Sequence, residues 1–282
     1  MNDLKDKIAI VTGGASGIGR ELCIELGRRG AVVVVADIMQ DGAQEVASTI
    51  TTAGGQAVAA LLDVSREQDV RKLIDETTRE HGRLDYMFNN AGVAVSGDAR
   101  DMTIEHWRRV FDVNLWGVVY GTNAAYSIMV KQGFGHIVNV SSLSGLIGYP
   151  TNIPYGTTKY GVVGLSNSLR VEAADLGVKV SVVCPGFVQT SIWENATLLN
   201  ASREDVLAQI PFKMMEVSKA AKATLRGVAR NRAIIIFPFH ARLLWWLNRL
   251  HPTILTPIGR KMVKNFRAIR QEPRPAIEEN EM

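Results

Sequence analysis

The sequence predicts an α/β protein built on a doubly wound parallel sheet of about seven strands, with helices on both faces. Short apolar runs alternate with longer segments of helical periodicity, which is the pattern of repeated strand–helix–strand crossovers. The first run ends in a glycine cluster at the point where a helix should begin. With 282 residues, 46% of them apolar, the chain can bury the core of one large domain.

Each apolar run is short and too apolar to be half exposed, so we expect strands covered on both faces. The predicted strands, in chain order, are 7–11, 31–36, 57–62, 84–88, 136–140, 178–183 and 233–237. The intervening segments have helical spacing. In one of them the positions i, i+3, i+4 and i+7 are taken by Val70, Leu73, Ile74 and Thr77.

Charge is distributed unevenly along the chain. Residues 1–200 carry 17 Lys and Arg against 21 Asp and Glu, a net charge of −4. Residues 201–282 carry 15 against 7, a net charge of +8. The basic overall charge therefore comes from the last third of the chain alone. Because the body is mildly acidic, we do not expect the protein to bind nucleic acid.

The basic charge coincides with a helical C-terminal extension. We expect one domain over 1–238, the extension over 239–272 and a disordered tail over 273–282, which contains two prolines and three glutamates. A first helix over 240–250 would place four apolar residues on one side, namely Leu243, Trp246, Leu247 and Leu250. Its other side would carry Arg242, Trp245 and Arg249. Pro252 would then break the chain.

A second helix over 256–270 would follow, with an apolar stripe formed by Leu255, Ile258, Met262, Phe266 and Ile269. Opposite this stripe lie Arg260, Lys261, Lys264 and Arg267. Both helices should cover apolar surface on the chain's own body or on a partner. The substrate mouth and a membrane interface are the alternative surfaces.

Cysteine and histidine usage indicates no metal. Cys23 and Cys184 have no ligand spacing and are expected to be buried small hydrophobes, as in a reducing cytoplasm. The five histidines do not form a zinc motif. The N-terminus has no signal-peptide pattern, and no apolar run approaches the roughly 20 residues that span a bilayer.

The glycine cluster from Thr12 to Gly19 is the first functional signal. Its pattern is T-G-x-x-x-G-x-G, between a predicted strand and a predicted helix. Glycines let the backbone approach a pyrophosphate, and the helix N-terminus offers unpaired N–H groups. The sequence therefore predicts a Rossmann-type dinucleotide site, with cofactor contacts from Gly13, Ser16, Gly17, Ile18 and Gly19.

Asp37 predicts the choice of dinucleotide. It ends the second predicted strand, where a carboxylate can accept hydrogen bonds from the adenosine ribose diol. A carboxylate would repel the 2′-phosphate of NADP, and the neighbouring Ser16, Ile38 and Met39 offer no balancing cation. We therefore expect NAD in preference to NADP.

Tyr155 and Lys159 form the second functional signal. On a helix these positions share one face, and an ammonium beside a phenol should lower the pKa of the tyrosine. Tyr155 could then exchange a proton near neutral pH. Ser142 lies thirteen residues upstream, just after a predicted strand, where its hydroxyl could hold a substrate oxygen.

Together these motifs resemble the short-chain dehydrogenase/reductase family over roughly residues 5–195. The matching motifs are the glycine cluster, Asp63-Val64, Asn89-Asn90-Ala91-Gly92, Asn114, Ser142 with Tyr155 and Lys159, and Pro185-Gly186 with Thr190. The resemblance implies a seven-stranded parallel sheet. It implies that Tyr155 is the acid/base, that Ser142 holds the substrate oxygen, and that Lys159 lowers the tyrosine pKa and binds ribose.

The resemblance also implies cofactor contacts along the rest of the chain. Asp63 and Val64 would hold the adenine, and Asn114 would position a water in a proton relay. The segment Asn90, Ala91 and Gly92 would support the cofactor-bearing strand. The nicotinamide would meet Pro185, Gly186, Val188 and Thr190. After the last predicted strand, Pro238-Phe239-His240 departs from the family's usual ending.

The predicted activity is hydride transfer between NAD(H) and a secondary alcohol or ketone. Substrate contacts would come from Ser142 and from bulky apolar side chains, which favour an uncharged lipophilic compound. These side chains are Leu146, Ile147, Tyr149, Ile192, Trp193, Leu198 and Leu199. A catalytically silent nucleotide-binding regulator and a sugar-nucleotide epimerase or dehydratase are the alternatives.

The resemblance also implies a homodimer or homotetramer. The helix that begins near Tyr155 would supply the contact. Its small and apolar positions, which would allow close helix packing, are Val162, Val163, Ser166, Leu169 and Arg170.

Overall fold

A computed structural model describes residues 4–208, 213–251 and 253–271. Its strands are β1 (Ile8–Thr12), β2 (Val32–Asp37), β3 (Gln56–Leu61), β4 (Tyr86–Asn89), β5 (Val95–Ser96), β6 (Gly135–Val140), β7 (Val178–Pro185), β8 (Thr197–Leu198) and β9 (Ile234–Phe237). Its helices are α1 (Gly17–Arg28), α2 (Gln40–Thr52), α3 (Glu67–His81), α4 (Ile104–Phe111), α5 (Gly117–Gln132), α6 (Ile153–Glu172), α7 (Ile192–Asn195), α8 (Arg203–Ala208), α9 (Val217–Ala229), α10 (Phe239–Leu250) and α11 (Thr256–Ile269).

Seven strands form one parallel sheet in the order β3-β2-β1-β4-β6-β7-β9. The chain adds strands on one side of β1 as far as β3 and then crosses to β4 on the other side. This reversal opens a crevice at the carboxyl ends of β1 and β4, the usual ligand position in such sheets. The predicted fold class is confirmed.

Alternate residues of the central strands feed two apolar layers. Along β1, Ala9 and Val11 belong to a cluster with residues of α1, α2 and α9. Ile8 and Ile10 belong to a second cluster with residues of α3 and α5. The period-2 alternation of a strand therefore places helices on both faces of the sheet.

The edge strand β3 departs from the sequence prediction. We expected every strand to be too apolar for half exposure, but Val58 and Leu61 on β3 are exposed. The reason is position, since β3 pairs only with β2 and no strand covers its other edge. Apolar composition alone does not distinguish an edge strand from a central one.

A two-stranded parallel pair, β5 with β8, lies outside the main sheet. Val95 pairs with Thr197 and Ser96 with Leu198. This pairing ties the segment after β4 to the segment after β7. Both segments follow the carboxyl ends of central strands, so the pair forms one wall of the crevice.

Helix α10 is present where it was predicted, but the face that packs on the body is a different one. Ala241, Leu244 and Trp245 pack with Leu143 and Ile147. The predicted apolar side remains open, because Leu243 is 49% exposed, Trp246 59% and Leu250 71%. The placement of Trp245 on the opposite, solvent-facing side was wrong. Apolar residues occupy two faces of this helix, so periodicity could not select between them.

Helix α11 packs on the chain's own body, as one of the alternatives predicted. Phe266 is buried, and two arginines reach acidic residues near the start of α4. Arg267 Nε lies 2.7 Å from Asp98 Oδ2, and Arg270 makes bonds of 2.7 and 2.8 Å to Asp101. These contacts make α11 part of the folded body. Pro252 and residues 272–282, including the predicted tail, lie outside the described residues.

The predicted oligomer face of α6 is directed at the chain's own core. Val162 and Ser166 are buried, and Ser166 Oγ donates to Val162 O over 2.7 Å. Arg170 donates to Val180 O and to Asn231. The exposed face is formed instead by Ile153, Tyr160, Gly164 and Val171. Val162 and Ser166 therefore pack on the chain's own sheet, because small residues also suit close packing there, while the partly exposed Val163, Leu169 and Arg170 stay a prediction as contacts.

Candidate active site

A cleft of about 490 Å³ lies at the carboxyl ends of the central strands. It extends from the loop after β1, past the ends of β2 and β4, to the segments after β6 and β7. Most predicted site residues line it, namely Gly13, Ser16, Gly17, Ile18, Asp37, Asp63, Val64, Asn90, Ala91, Gly92, Ser142, Tyr149, Tyr155, Lys159, Pro185, Gly186, Val188, Thr190, Ile192 and Trp193. Six do not line it: Gly19, Asn114, Leu146, Ile147, Leu198 and Leu199.

The glycine loop is shaped by close backbone contacts. Gly13 has φ +64°, and a Cβ on it would lie 2.8 Å from Ala91 Cα. A Cβ on Gly19 would overlap Gly13 O. Gly19 therefore permits the approach of α1 to the loop rather than lining the cleft. Asn90 Nδ2 donates to Thr12 O over 2.9 Å and to Gly13 O over 3.2 Å, which joins the loop to the end of β4.

Asp37 and Asp63 supply carboxylates at the β2 end of the cleft. Asp37 Oδ2 accepts from Ala15 N over 2.9 Å, and its Oδ1 accepts from Met39 N over 3.0 Å. Asp63 Oδ1 accepts from both the backbone N and the Oγ of Ser65. These bonds fix the orientation of both carboxylates beside the glycine loop.

Ser142, Tyr155 and Lys159 come together at the other end of the cleft. The Ser142 hydroxyl lies close enough to the Tyr155 phenol to influence its pKa. Lys159 Nζ lies 5.4 Å from the centre of the Tyr155 ring and donates to Val140 O over 2.9 Å. Ser141 Oγ donates to Lys159 O over 2.8 Å, so the end of β6 holds α6 in register. Ser141 was not among the predicted site residues.

The pKa pattern differs from the one predicted. Burial raises the pKa of Tyr155 above its ordinary value, while the Ser142 hydroxyl opposes the rise. Burial lowers the pKa of Lys159 to about 8. Burial therefore sets the direction of the Tyr155 pKa in this structure, and the lowering by Lys159 stays a prediction. Desolvation outweighs attraction, because the same burial also disfavours the charged form of the lysine.

Asn114 lies behind the cleft wall. It occupies a single π-helical turn (Asp112–Trp116) between α4 and α5 and is completely buried. Its Oδ1 accepts from Val93 N over 2.8 Å and its Nδ2 donates to Val93 O over 2.9 Å. The side chain therefore pairs with the backbone like a strand neighbour. A role for Asn114 in a proton relay would have to use its main-chain atoms.

An aromatic wall bounds the cleft near Tyr155. Phe187 stacks on Trp193 with ring centres 6.2 Å apart and meets Tyr149 edge-on at 6.3 Å. Trp193 Nε1 donates to Val188 O over 3.0 Å, which fixes the indole. Phe187 was not predicted, although its position directly after Pro185-Gly186 could have drawn attention to it.

Four predicted substrate contacts lie elsewhere. Leu146 and Ile147 pack under α10 with Ala241, because the short turn after Ser142 directs them away from the cleft. Leu198 and Leu199 do not line the cleft either. Leu198 pairs in β8, and Leu199 contacts the Gly97 position. Arg109 of α4, which was not predicted, does line the cleft.

The residues present fit a dinucleotide. The first helix turn of α1 has no side-chain cap from Ser16, which leaves its N–H groups directed toward the glycine loop. A Cβ on Gly92 would lie 3.6 Å from Lys159 Nζ, so glycine keeps this part of the cleft open. Across the opening, Ser191 Oγ donates to Ser16 Oγ over 2.9 Å. The segment after β7 therefore closes over the loop.

Within the described ranges, no group of three His, Cys, Asp or Glu side chains is arranged to hold a metal ion. None of the helices in those ranges is long and apolar enough to cross a bilayer.

Comparison with known proteins places these features in a family. The sequence model of the short chain dehydrogenase family matches residues 7–199. A putative oxidoreductase, SadH, of Mycobacterium tuberculosis is 32% identical over 255 residues, covering 89% of this chain and 92% of that protein. Cyclohexanol dehydrogenase of Acinetobacter is 35% identical over 192 residues, covering 68% of this chain and 76% of that enzyme.

A solved structure resembles the fold over nearly its whole length. The short-chain dehydrogenase/reductase of Burkholderia phymatum, crystallised in complex with NAD, superposes with a TM-score of 0.78 at 25% identity. The match covers 98% of this chain and 99% of that one, so it includes the C-terminal helices.

Proposed function

The chain belongs to the short-chain dehydrogenase/reductase family, and we propose that it transfers a hydride between NAD(H) and a secondary alcohol or ketone. The observation that carries this proposal is the convergence of Ser142, Tyr155 and Lys159 on one end of a cleft whose other end has the glycine loop. A catalytically silent nucleotide-binding protein has no need for all three side chains. A sugar-nucleotide epimerase usually has a different glycine spacing and a larger C-terminal domain.

In the proposed reaction the dinucleotide, when bound, supplies or takes up the hydride at its nicotinamide. Ser142 Oγ donates a hydrogen bond to the ketone oxygen, and Tyr155 transfers its phenolic proton to that oxygen. In oxidation, the Tyr155 phenolate takes the alcohol proton. Lys159 holds positive charge beside the phenol and stabilises the phenolate that reduction leaves. Asn114 would contribute to a proton relay through its own main-chain atoms.

NAD(H) is proposed in preference to NADP(H) because of Asp37. Its carboxylate is oriented by Ala15 N and Met39 N. The side chains lining the cleft beside it include Ile38, Met39 and Leu62 but no cation. A 2′-phosphate would therefore meet an uncompensated negative charge.

The proposed substrate is lipophilic around its reacting carbon. The walls near Tyr155 are aromatic, with Phe187 in contact with both Tyr149 and Trp193. Such walls favour flat or alicyclic groups by burial of apolar area. The curated relative that acts on cyclohexanol is consistent with this class.

A panel of secondary alcohols and ketones, assayed with NAD(H), tests the proposal. We expect turnover of at least one alicyclic or aryl compound, and Tyr155→Phe should reduce kcat by about 10²–10⁴-fold with cofactor binding retained. Tyr160→Phe is the matched control, because Tyr160 lies on the same helix but is exposed. Turnover by Tyr155→Phe at the rate of the unmodified protein would reject the assignment.

Expectations about assembly and location extend the proposal. A homo-oligomer is proposed through the exposed face of α6 formed by Tyr160, Gly164 and Val171, where a Cβ on Gly164 would meet open space. Location in the cytoplasm stays a prediction.

Peripheral membrane contact through α10 also stays a prediction. Its support is the open side of that helix and the absence of Asp and Glu from residues 239–271. Co-sedimentation with anionic vesicles, compared between the unmodified protein and a Trp246→Glu variant, tests it.

A further inference from the structure

Arg109 stands out because it brings a cation to the substrate part of the cleft. It lies on α4, lines the same cleft as Tyr155, and its Nη1 donates to Thr197 Oγ1 over 3.3 Å. Thr197 belongs to β8, which pairs with β5 to form the wall of the cleft. Arg109 is therefore held at the entrance, between α4 and the β5–β8 pair.

Within the described part of the chain, no ion pair offsets the charge of Arg109. Over residues 4–208, 213–251 and 253–271, no ion pair involves Arg109. The carboxylates that line the cleft, Asp37 and Asp63, are at the β2 end, beside the glycine loop. The neighbouring Arg108 behaves differently, because it reaches Glu105 on its own helix.

A guanidinium at an apolar cleft favours a planar anion. Arginine presents its donors as a fork that matches both oxygens of a carboxylate. Lys159 cannot serve the same purpose, since it is buried beside Tyr155 and donates to Val140 O. A substrate that placed a carboxylate at Arg109 and its carbonyl at Tyr155 would provide a partner for both side chains.

We propose that Arg109 is a specificity-determining residue that selects ketones and alcohols bearing a carboxylate. This proposal rests on the hydride-transfer function proposed above and adds a substrate class, a hydroxy or keto acid with an apolar middle. It modifies the expectation of an uncharged substrate, which was based on the apolar side chains alone. Residue spacing does not distinguish Arg109 from Arg108, because only the fold shows which of the two lines the cleft.

Ligand binding and turnover, measured separately, test the proposal. For binding, calorimetry compares benzoate, cyclohexanecarboxylate and phenylacetate with their primary amides, in the presence of NAD. For turnover, kcat/KM is measured for 4-oxocyclohexanecarboxylate and its methyl ester. We expect at least one acid to bind about 10-fold more tightly than its amide, and the oxo acid to exceed its ester by a similar factor.

Variants separate charge from local structure. Arg109→Gln should remove the preference for the acid, and Arg109→Lys should keep part of it. Arg108→Gln is the matched control and should leave the preference within twofold. Thr197→Val removes the contact with Arg109 but not the cation, so it should leave the preference for the acid largely in place.

The outcomes distinguish this proposal from the function on which it rests. If ketones are reduced but no acid shows an advantage that depends on Arg109, the proposal is overturned and hydride transfer stands. If acids bind through Arg109 but no ketone or alcohol is turned over, the residue's preference stands and the hydride-transfer proposal is overturned. An equal loss in Arg109→Gln and Thr197→Val would assign Arg109 to the structure of the cleft wall instead.

Discussion

Replacement of Asp37 by asparagine should reverse much of the preference for NADH over NADPH. The structure favours this variant over Asp37→Ala, because the carboxylate also accepts from Ala15 N and Met39 N. Asparagine removes the charge and keeps one acceptor oxygen, so it loses one of the two backbone hydrogen bonds, whereas alanine would lose both. The effect on the cofactor is then separable from damage to the glycine loop.

Two contributions set the magnitude. A hydrogen bond to a charged group contributes about 1.5–3 kcal/mol, which NADH would lose at its ribose. Repulsion between a carboxylate and a phosphate about 4 Å away ranges from about 1 kcal/mol in water to about 4 kcal/mol near a protein surface, and NADPH would be relieved of it. The low ends together give about 2.5 kcal/mol, or roughly a 70-fold change in the ratio of the two affinities.

Titration of each reduced cofactor, followed by fluorescence, measures this ratio. Asp41→Asn is the matched control, because Asp41 is exposed on α2 and does not line the cleft. Its ratio should equal that of the unmodified protein. Tighter binding of NADPH than NADH by the unmodified protein, or an unchanged ratio in Asp37→Asn, would refute the reasoning.

Three further predictions concern stability and assembly. Burial lowers the pKa of His136 from 6.5 to about 3. Below pH 6.5 the unfolded chain therefore takes up a proton that the folded chain does not. The free energy of unfolding should fall there by up to roughly 1.4 kcal/mol per pH unit. Denaturant unfolding between pH 7 and pH 5 should show less of this fall in His136→Gln but not in His251→Gln. The hydrogen bond from Arg270 lowers the pKa of Asp101 below 3.8, its ordinary value. The stabilisation of α11 by this contact is therefore fully present above pH 3.8, and it is lost as the pH falls through the pKa of Asp101 in the folded protein. Protection factors for hydrogen exchange in α11 should fall in acid, and at neutral pH already in Arg270→Gln; unchanged protection in that variant would contradict the contact. Val171→Glu, at a position 78% exposed on α6, should convert the proposed oligomer to monomers in sedimentation experiments, whereas Ile104→Glu on α4 should not.

The parts of the fold that depend on local pattern were predictable from the sequence. Each predicted main-sheet strand is present within two residues at either end, and the helix at Val70 buries the expected stripe. The glycine loop, Asp37 and the group around Tyr155 were found because their residue types and spacing are tied to a chemistry. Most of these residues line one cleft.

The features that were missed depend on tertiary placement. Leu146 follows Ser142 closely, but a turn sends it under α10. Helix α10 has two apolar faces, and only the surface beneath it decides which one is buried. Arg108 and Arg109 are adjacent and chemically identical, and only the direction of α4 brings one of them to the cleft. The pKa of Tyr155 depends on burial, which residue spacing cannot show.

The most direct test of the central claim follows the hydride itself. The protein is incubated with a ketone that it reduces and with NADH carrying deuterium at C4 of the nicotinamide, and the alcohol product is examined by mass spectrometry. We predict one deuterium on the carbinol carbon, transferred from a single face of the nicotinamide, with the rate reduced about 10²–10⁴-fold in Tyr155→Phe but not in Tyr160→Phe. Reduction without deuterium in the product, or transfer at an unchanged rate in Tyr155→Phe, would contradict it.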